Sequence, residues 1–206
     1  MSEQFSLFGN ASPAHALADT PSWRYGTSPL NVFFAITPDA ETADSIFASC
    51  RRLAVTFELA GTARQAQVLH VSLHGVDGGG RVSTQTIDAA KRIGDSICFP
   101  SFDIESNRVM AFGGQKDRKA IVLCGGDNAE LKAFRQQLGI ALANASFPVD
   151  PRFTPHMTFM YGHEFSGAHV IAPMVWRATE FHLILSHVGE KRYERLGSWA
   201  LQDHAT

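Results

Sequence analysis

The sequence predicts a mixed α+β fold, and three observations lead to that prediction. In the first half of the chain, apolar segments typical of β-strands are each followed by a segment with helical spacing. A hairpin pattern and a third helical segment occupy the middle, and two further strand-like segments joined by a turn come near the end. Hairpins and helices combined in this order are typical of α+β proteins.

Residues 1–29 differ in composition from the rest of the chain. They contain three prolines among Ala, Ser, Thr and Gly, without a sustained apolar period. Proline and glycine at this density interrupt regular elements. We therefore expect a flexible N-terminal leader at 1–29 and one folded domain at 30–206.

Two strand–helix pairs are predicted at the start of that domain. Residues 31–37 (NVFFAIT) have the composition of a buried strand, and residues 39–54 follow a proline with an acidic first turn and helical apolar spacing. Residues 68–76 (VLHVSLHGV) predict a second strand, which the glycines at 78–80 end. Residues 83–98 again have helical spacing.

The middle of the chain predicts a hairpin and a third helix. Residues 99–112 alternate as a strand does, and residues 120–124 (AIVLC) resume after a glycine-containing, charged turn. Asp127 or Asn128 can cap a helix that runs to about residue 143. Its apolar residues recur at helical spacing on one face, at Leu131, Phe134, Leu138 and Leu142.

Three further strands are predicted after this helix. They cover residues 156–161, 175–188 and 193–201, and the last two form a hairpin around the turn at 189–192. The full set of elements supports the α+β prediction.

Composition limits the classes of partner and compartment. The formal net charge is −2 and the isoelectric point is near 6.5, so a polyanion would have to be bound by a local cluster of Lys and Arg. Cys50, Cys98 and Cys124 are an odd number in apolar surroundings, which favours reduced core thiols. No apolar run approaches the roughly 18 residues of a membrane span, and no signal peptide is recognisable. We therefore expect a cytoplasmic protein that does not contact membranes.

Two short motifs are the best indication of function. His70-Val71-Ser72-Leu73 and His156-Met157-Thr158-Phe159 share the pattern His-x-Ser/Thr-apolar, and each lies in a predicted strand. Since successive side chains of a strand point to opposite faces, the histidine and the hydroxyl residue of each motif point the same way. Two such strands side by side would bring two proton carriers and two hydroxyl donors to one cleft, as cleavage of a phosphate ester requires. The alternative is that both histidines are ordinary core or edge-strand residues.

These motifs, together with Phe153-Thr154-Pro155 ahead of His156, resemble the two-histidine (2H) phosphoesterase superfamily. Within it they are most similar to the bacterial RNA 2′,3′-cyclic phosphodiesterases, also called 2′-5′ RNA ligases. The resemblance, over roughly residues 30–201, implies a bilobal fold of two pseudo-symmetric lobes with antiparallel sheets lining a central groove. It also implies hydrolysis of cyclic phosphates without a metal or cofactor, with 2′-5′ RNA ligation as the reverse activity.

The resemblance assigns roles to four residues. His70 and His156 would be the general acid and base, in an order that the sequence does not decide, and Ser72 and Thr158 would bind the phosphate oxygens. Elementary chemistry agrees, because imidazoles titrate near neutrality and hydroxyls on rigid strands can stabilise developing negative charge.

The sequence departs from the family after each motif. His74 follows the first motif, where we expect it to line the mouth of the groove. Tyr161 follows the second motif where the relatives usually carry a basic residue. Arg152, or Lys191 and Arg192 in the last hairpin, could supply the positive charge instead. Phe153 and Tyr161 could stack on a nucleobase, although aromatic side chains beside strands are more often core.

A zinc site is a competing interpretation. His70 and His74 are four residues apart on one predicted strand, and His156 could complete a three-histidine set. Against this interpretation, no Asp or Glu flanks these positions to orient the imidazoles.

The leader contains one further motif. Gln4-Phe5-Ser6-Leu7-Phe8 resembles the short peptide by which bacterial replication and repair proteins bind the sliding clamp. Such peptides bind through a Gln hydrogen bond and an apolar Leu-Phe anchor. The alternative is that these apolar side chains cover the surface of the domain.

The sequence therefore leaves two functions of different class. The first is an enzyme that hydrolyses 2′,3′-cyclic phosphates of RNA ends or nucleotides to a 2′-phosphate. The second is a module that binds nucleotides or RNA ends without turnover.

Overall fold

The computed structural model describes residues 30–76, 83–113, 119–163, 165–187 and 192–202. Several predicted features lie outside these residues: the leader at 1–29 with its Gln4–Phe8 motif, the glycine turn at 78–80, most of the charged turn at 114–118, and Lys191.

Nine strands and three α-helices make up the described residues. The first half contains β1 (Leu30–Ile36), α1 (Ala40–Thr56), β2 (Gly61–Ala63), a short 3₁₀ helix (Ala66–Val68), β3 (Val71–Gly75) and α2 (Thr84–Ser96). The second half contains β4 (Phe102–Phe112), β5 (Lys119–Cys124), α3 (Ala129–Asn144), β6 (His156–Gly162), β7 (Ala168–Ala178), β8 (Glu180–His187) and β9 (Arg192–Ala200).

The strands form one antiparallel sheet with an internal symmetry. Eight strands follow the order β7-β4-β5-β6-β3-β1-β8-β9, and β2 pairs with β6 beside this path. The sheet consists of two halves of four strands, and in each half the strand that carries a histidine motif, β6 or β3, is the innermost. The predicted α+β fold with two pseudo-symmetric lobes is confirmed. Its two antiparallel sheets are halves of one continuous sheet.

Helix α3 packs against both halves of the sheet. The predicted apolar face is confirmed, since Leu131, Phe134, Leu138 and Leu142 are completely buried. The ring of Phe134 lies 5.8 Å from that of Phe102 on β4 and 5.1 Å from that of Phe181 on β8, measured between centroids. Burial of such side chains contributes roughly 1.5–3 kcal/mol each. Because β4 and β8 belong to different halves, this packing holds the halves in a common core.

The helix starts follow the sequence signals only in part. Asp39 and Ser83 cap α1 and α2, where their side chains accept hydrogen bonds from the backbone amides of Thr42 and Thr86. Asn128 occupies the cap position of α3 without a side-chain cap bond. Its side-chain amide binds the backbone of Glu105 instead, which ties the start of α3 to β4.

The predicted strand at 175–188 is wrong as a single element. Thr179 lies between the end of β7 and the start of β8. These two strands lie in different halves of the sheet. The beginning of β7 was missed because it contains Pro173, and proline is normally excluded from a strand interior. Here proline is tolerated since β7 is an edge strand. The short strand β2 was also missed, because its three residues are all exposed and have no apolar pattern.

The cysteines and the helices bear on the expected compartment. All three thiols are free; Cys50 and Cys124 are buried as expected, but Cys98 is exposed, so the prediction of a core thiol is wrong there. No helix among the described residues combines the length and the apolar character needed to cross a membrane.

Gly94 tests the packing of α2 on the sheet. A Cβ atom at this position would lie well inside van der Waals contact of the Trp199 indole. That ring cannot easily move, because it stacks on Phe181 and its Nε1 donates to Asp95. We expect Gly94→Ala to lower the free energy of unfolding by about 1–3 kcal/mol in urea titrations, despite the better helix propensity of Ala.

The matched control is Gly75→Ala, where an added Cβ meets nothing within 4 Å. Its stability should stay close to that of the wild type. Equal stability of the two variants would contradict this account of the α2–β9 contact.

Candidate functional site

The site lies where the two halves of the sheet meet. Strands β3 and β6 are paired antiparallel through Val71 and Met157. Both of these side chains are buried, each with 2% exposure. Residues directly opposite each other in an antiparallel pair point to the same face, and their chain neighbours point to the other face.

The neighbours on the other face are the motif residues. Continued by one residue in each direction, the register sets His70 opposite Thr158 and Ser72 opposite His156. All four side chains are partly exposed, whereas the apolar residues between and after them are buried. The predicted convergence of two imidazoles and two hydroxyls on one face of the sheet therefore follows directly from the register.

Each motif strand is interrupted at the same place. The pairing of β1 with β3 shifts at Leu73, and the pairing of β5 with β6 shifts at Phe159, so each strand carries one extra residue directly after its hydroxyl residue. A β-bulge of this kind bends the strand and redirects the side chains that follow. The two motifs thus share a backbone irregularity as well as a sequence pattern.

The two histidines are also held in the same way. Nδ1 of His70 lies 2.9 Å from the carbonyl oxygen of Val68, and Nδ1 of His156 lies 2.8 Å from that of Thr154. Since a carbonyl oxygen only accepts, Nδ1 must carry the proton in both rings. In the neutral form, Nε2 of each ring then has a lone pair that can accept a proton.

Aromatic side chains shield both imidazoles. The His70 ring packs against Phe33 and Tyr193 at centroid distances of 5.3 and 5.4 Å. The His156 ring packs against Phe112 at 4.7 Å. These contacts fix the ring planes and remove water from one side of each imidazole.

Burial lowers the pKa of both histidines, because it disfavours the charged form. The pKa of His70 falls to about 4, mainly through burial and to a smaller extent through the positive charges of Arg64 and of protonated His156. The pKa of His156 is also lowered by burial. The register of β3 and β6 makes His70 and His156 diagonal neighbours on this face of the sheet. Both are neutral at pH 7 without a ligand, and an anion between them would favour protonation.

His74 does not line the groove, and that expectation is wrong. Its side chain is buried, and Nε2 lies 2.9 Å from the backbone carbonyl of Arg135 in α3. The bulge at Leu73 is the physical reason, because the extra residue shifts the alternation after Ser72. His74 instead borders a cavity of about 530 Å³ beside α3.

The three-histidine zinc interpretation loses its third ligand for the same reason. His74 is turned towards α3, while His70 and His156 lie on the opposite face of the sheet. Within the part of the chain that the structure describes, no three His, Cys, Asp or Glu side chains are grouped to hold a metal ion.

The candidate cations and stacking residues have other contacts. The Arg152 guanidinium binds the carboxylate of Asp150 at 3.2 Å, and Arg192 contacts His187 and Glu194. The Phe153 ring lies 4.4 Å from the guanidinium carbon of Arg135. Since the α3 side of Phe153 is covered in this way, this ring is a packing residue.

Tyr161 lies beside an arginine that sequence reasoning missed. The Arg64 guanidinium carbon lies 5.7 Å from the centroid of the Tyr161 ring and 5.4 Å from that of Tyr193. Arg64 follows the short exposed strand β2, where no apolar period marks a buried element. No local signal could have placed it here.

Arg135 is a second residue that sequence reasoning missed, and it holds the chain segment that precedes His156. Its guanidinium donates to the carbonyl of Leu73 on β3 and to those of Asp150 and Arg152 in the segment ahead of β6. A sequence signal did exist, since Arg135 falls on the apolar face of α3 between Leu131 and Leu138. A charged side chain on a buried apolar face needs buried hydrogen-bond acceptors near it.

Comparisons with known proteins identify the family and the fold. A family model described as the 2′-5′ RNA ligase superfamily matches residues 38–190. The structure is similar to Escherichia coli LigT in its apo form, with a TM-score of 0.65 and 23% identity over 84% of this chain and 98% of that one. The TT0787 protein of Thermus thermophilus gives a TM-score of 0.65 with 15% identity, over 84% of this chain and 99% of that one. E. coli LigT complexed with 3′-AMP gives 0.62 with 24% identity, over 85% and 100%. No curated protein matches the chain significantly.

The electrostatics of the site predict an anion-dependent titration. We expect the His70 imidazole to titrate near pH 4 in the free protein, and at a higher pH with saturating inorganic phosphate, because the anion stabilises the imidazolium. Two-dimensional NMR of the imidazole Cε1–H groups measures both values, with His70→Gln assigning the resonance.

The same titration in chloride at equal ionic strength is the control. A free-protein pKa near the ordinary 6.5, or a titration that phosphate leaves unchanged, would contradict the burial and the anion-binding character of the pair.

Proposed function

The chain belongs to the 2′-5′ RNA ligase superfamily, and from that membership we propose that it hydrolyses 2′,3′-cyclic phosphates of RNA ends or nucleotides to 2′-phosphates. Membership supports a phosphoesterase activity in general. The observation that carries the finer proposal is the register of β3 and β6, which puts both histidines and both hydroxyl residues on one face of the sheet.

The proposed reaction uses the imidazoles as base and acid. One neutral Nε2 accepts a proton from water as the water oxygen attacks phosphorus, and the bond from phosphorus to O3′ breaks on the opposite side. The other imidazole, protonated when the substrate binds, donates its proton to the departing O3′. The product is a 2′-phosphate with a free 3′-hydroxyl. Either His70 or His156 can be the base, since both are held through Nδ1 alike.

Ser72 and Thr158 complete the proposed site. Each hydroxyl residue lies opposite the histidine of the other strand when the register is continued. Their O–H groups would donate to the non-bridging phosphate oxygens, on which negative charge increases in the transition state. Donors that are fixed on paired strands need little reorganisation to do this.

Several observations support the substrate class and the setting. E. coli LigT has been crystallised with 3′-AMP, with NADP⁺ and with phosphate, which supports a nucleotide or an RNA end as the substrate here. The metal-independent route is supported by the position of His74, which is bound to α3 rather than to the histidine pair. The free thiols are compatible with the reducing cytoplasm.

A second candidate is a binding module without turnover. The observation that favours it is the lowered pKa of both histidines, because a pair of neutral imidazoles lacks the imidazolium that would act as the acid. Measured turnover separates the two functions.

We expect His70→Ala and His156→Ala each to lower the turnover of adenosine 2′,3′-cyclic phosphate by about 10²–10⁴, the usual contribution of a general acid or base. Appearance of the 2′-phosphate is followed by ³¹P NMR or chromatography, with a chelator present throughout. His169→Ala is the matched control, since His169 lies on the edge strand β7, three strands away from β6.

If the wild type and His169→Ala form product but His70→Ala and His156→Ala do not, the result supports the enzyme function. Binding of the cyclic nucleotide without product by the wild type indicates the module. Loss of wild-type activity on addition of chelator would indicate a metal-dependent hydrolase.

We also propose, from its residues alone, that the Gln4–Phe8 segment binds the bacterial sliding clamp, although it lies outside the described residues. The full chain should bind purified clamp with micromolar affinity in surface plasmon resonance, because the Gln and the Leu-Phe pair match the anchor chemistry of such peptides. The double variant Leu7→Ala, Phe8→Ala should abolish that signal. Unaltered binding by the double variant, or none by wild type, would end this proposal.

A further inference from the structure

The site contains a cation that reaches it from outside the motif strands. Strand β2 pairs with β6 so that Thr62 lies opposite Tyr161, and the backbone amide of Arg64 donates to the carbonyl of Phe159 at 2.8 Å. Phe159 directly follows the motif hydroxyl residue Thr158. The backbone of Arg64 is therefore fixed against the part of β6 that carries the second motif.

The Arg64 side chain lies between two tyrosines. One terminal nitrogen, Nη2, donates to the Tyr193 hydroxyl at 2.6 Å. The guanidinium carbon lies within 6 Å of the ring centroids of both Tyr161 and Tyr193, the range in which cation–π attraction acts. These contacts fix the orientation of the guanidinium plane but do not neutralise its charge.

The charge and one donor of Arg64 lack partners within the described chain. Nε is buried without a hydrogen-bond partner, and among the residues with described positions no carboxylate forms an ion pair with this guanidinium. A half-buried cation without a counter-ion and a buried N–H donor without a partner both cost free energy, which a nearby anion offsets. The arrangement is typical of a group that is complemented by a ligand.

The side chain of Tyr193 contacts both Arg64 and His70. The hydroxyl of Tyr193 accepts a hydrogen bond from Arg64, and the ring of Tyr193 packs 5.4 Å from the His70 ring. Arg64 also acts electrostatically on His70, whose pKa its charge helps to lower. An anion held at the histidines would therefore lie within the field of this guanidinium.

We propose that Arg64, which follows β2, binds the phosphate of the substrate. It thereby supplies the cation that we expected near the second motif, where Tyr161 on β6 takes the place of a basic residue. This proposal rests on the proposed function for the identity of the phosphate. The positive charge and the terminal N–H groups that Tyr193 does not engage act on the phosphate oxygens, while the Tyr193 hydroxyl and the two rings orient the guanidinium.

Arg64→Met tests the proposal, because methionine keeps much of the side-chain volume but has neither the charge nor the donors. The dissociation constant for inorganic phosphate should rise by roughly ten- to a hundredfold in calorimetric or NMR titrations, as expected for a lost charged hydrogen bond. In steady-state assays, kcat/KM for adenosine 2′,3′-cyclic phosphate should fall at least as far. The melting temperature should stay equal or rise, because a buried N–H donor without a partner has been removed.

A readout at His70 separates electrostatics from packing. Loss of the Arg64 charge should raise the His70 pKa in the NMR titration, because a neighbouring cation disfavours the imidazolium. Arg177→Met is the matched control on the edge strand β7, where Arg177 is paired with Asp103. It should bind phosphate as the wild type does.

Phosphate affinity of Arg64→Met within twofold of wild type would overturn the proposal. If that variant does not fold, Arg64→Gln decides, since glutamine also lacks the charge: a folded glutamine variant with weakened phosphate binding supports the proposal, and a folded one that binds as the wild type does overturns it. Phosphate binding that depends on Arg64, in a wild type that releases no product, would refute turnover but not the role of Arg64.

Discussion

The whole site depends on the junction between β3 and β6, where the register pairs Val71 with Met157. Each half of the sheet is held together by longer ladders, such as that between β8 and β9 or between β4 and β7. At the junction the ladder is short, and a slip by one residue would put the two motifs on opposite faces of the sheet. The burial of Val71 and Met157, together with the packing of α3 on both halves, makes this register the stable one.

Repetition of one local structure in both halves explains why the two histidines are chemically alike. In each half a carbonyl two residues earlier holds Nδ1, an aromatic ring covers one side of the imidazole, and a bulge follows the hydroxyl residue. Two imidazoles held alike would suit the in-line displacement at phosphorus that we propose, in which one acts on each side. The two histidines differ mainly in their surroundings, since Tyr193 and the charge of Arg64 lie beside His70.

Rigidity around the site comes from buried polar groups rather than from the motif residues themselves. Arg135 connects β3 to the segment ahead of β6 through three backbone carbonyls, and His74 binds the backbone of α3. Both side chains satisfy acceptors that would otherwise be buried without donors. The two motifs are thus positioned by one arginine as well as by the sheet.

The sequence by itself determined the elements with a strong local period. The apolar face of α3, the strands around both motifs and the shared face of each His–Ser/Thr pair could all be predicted, because side-chain alternation and helical spacing are properties of the local chain. Features without such a signal could not be predicted. Three exposed residues do not predict β2, and strand-like composition on both sides of Thr179 does not show that β7 and β8 separate there.

Only the tertiary structure decided which chemical groups share the site. The spacing of His74 from His70 predicts that both side chains lie on one face of the strand as possible metal ligands. The bulge at Leu73 instead turns His74 towards α3. Arg64 has no motif of its own, yet the pairing of β2 with β6 brings it beside the Tyr193 ring that contacts His70. Both outcomes depend on contacts between residues far apart in the chain, and the free energy of those contacts is absent from any local pattern.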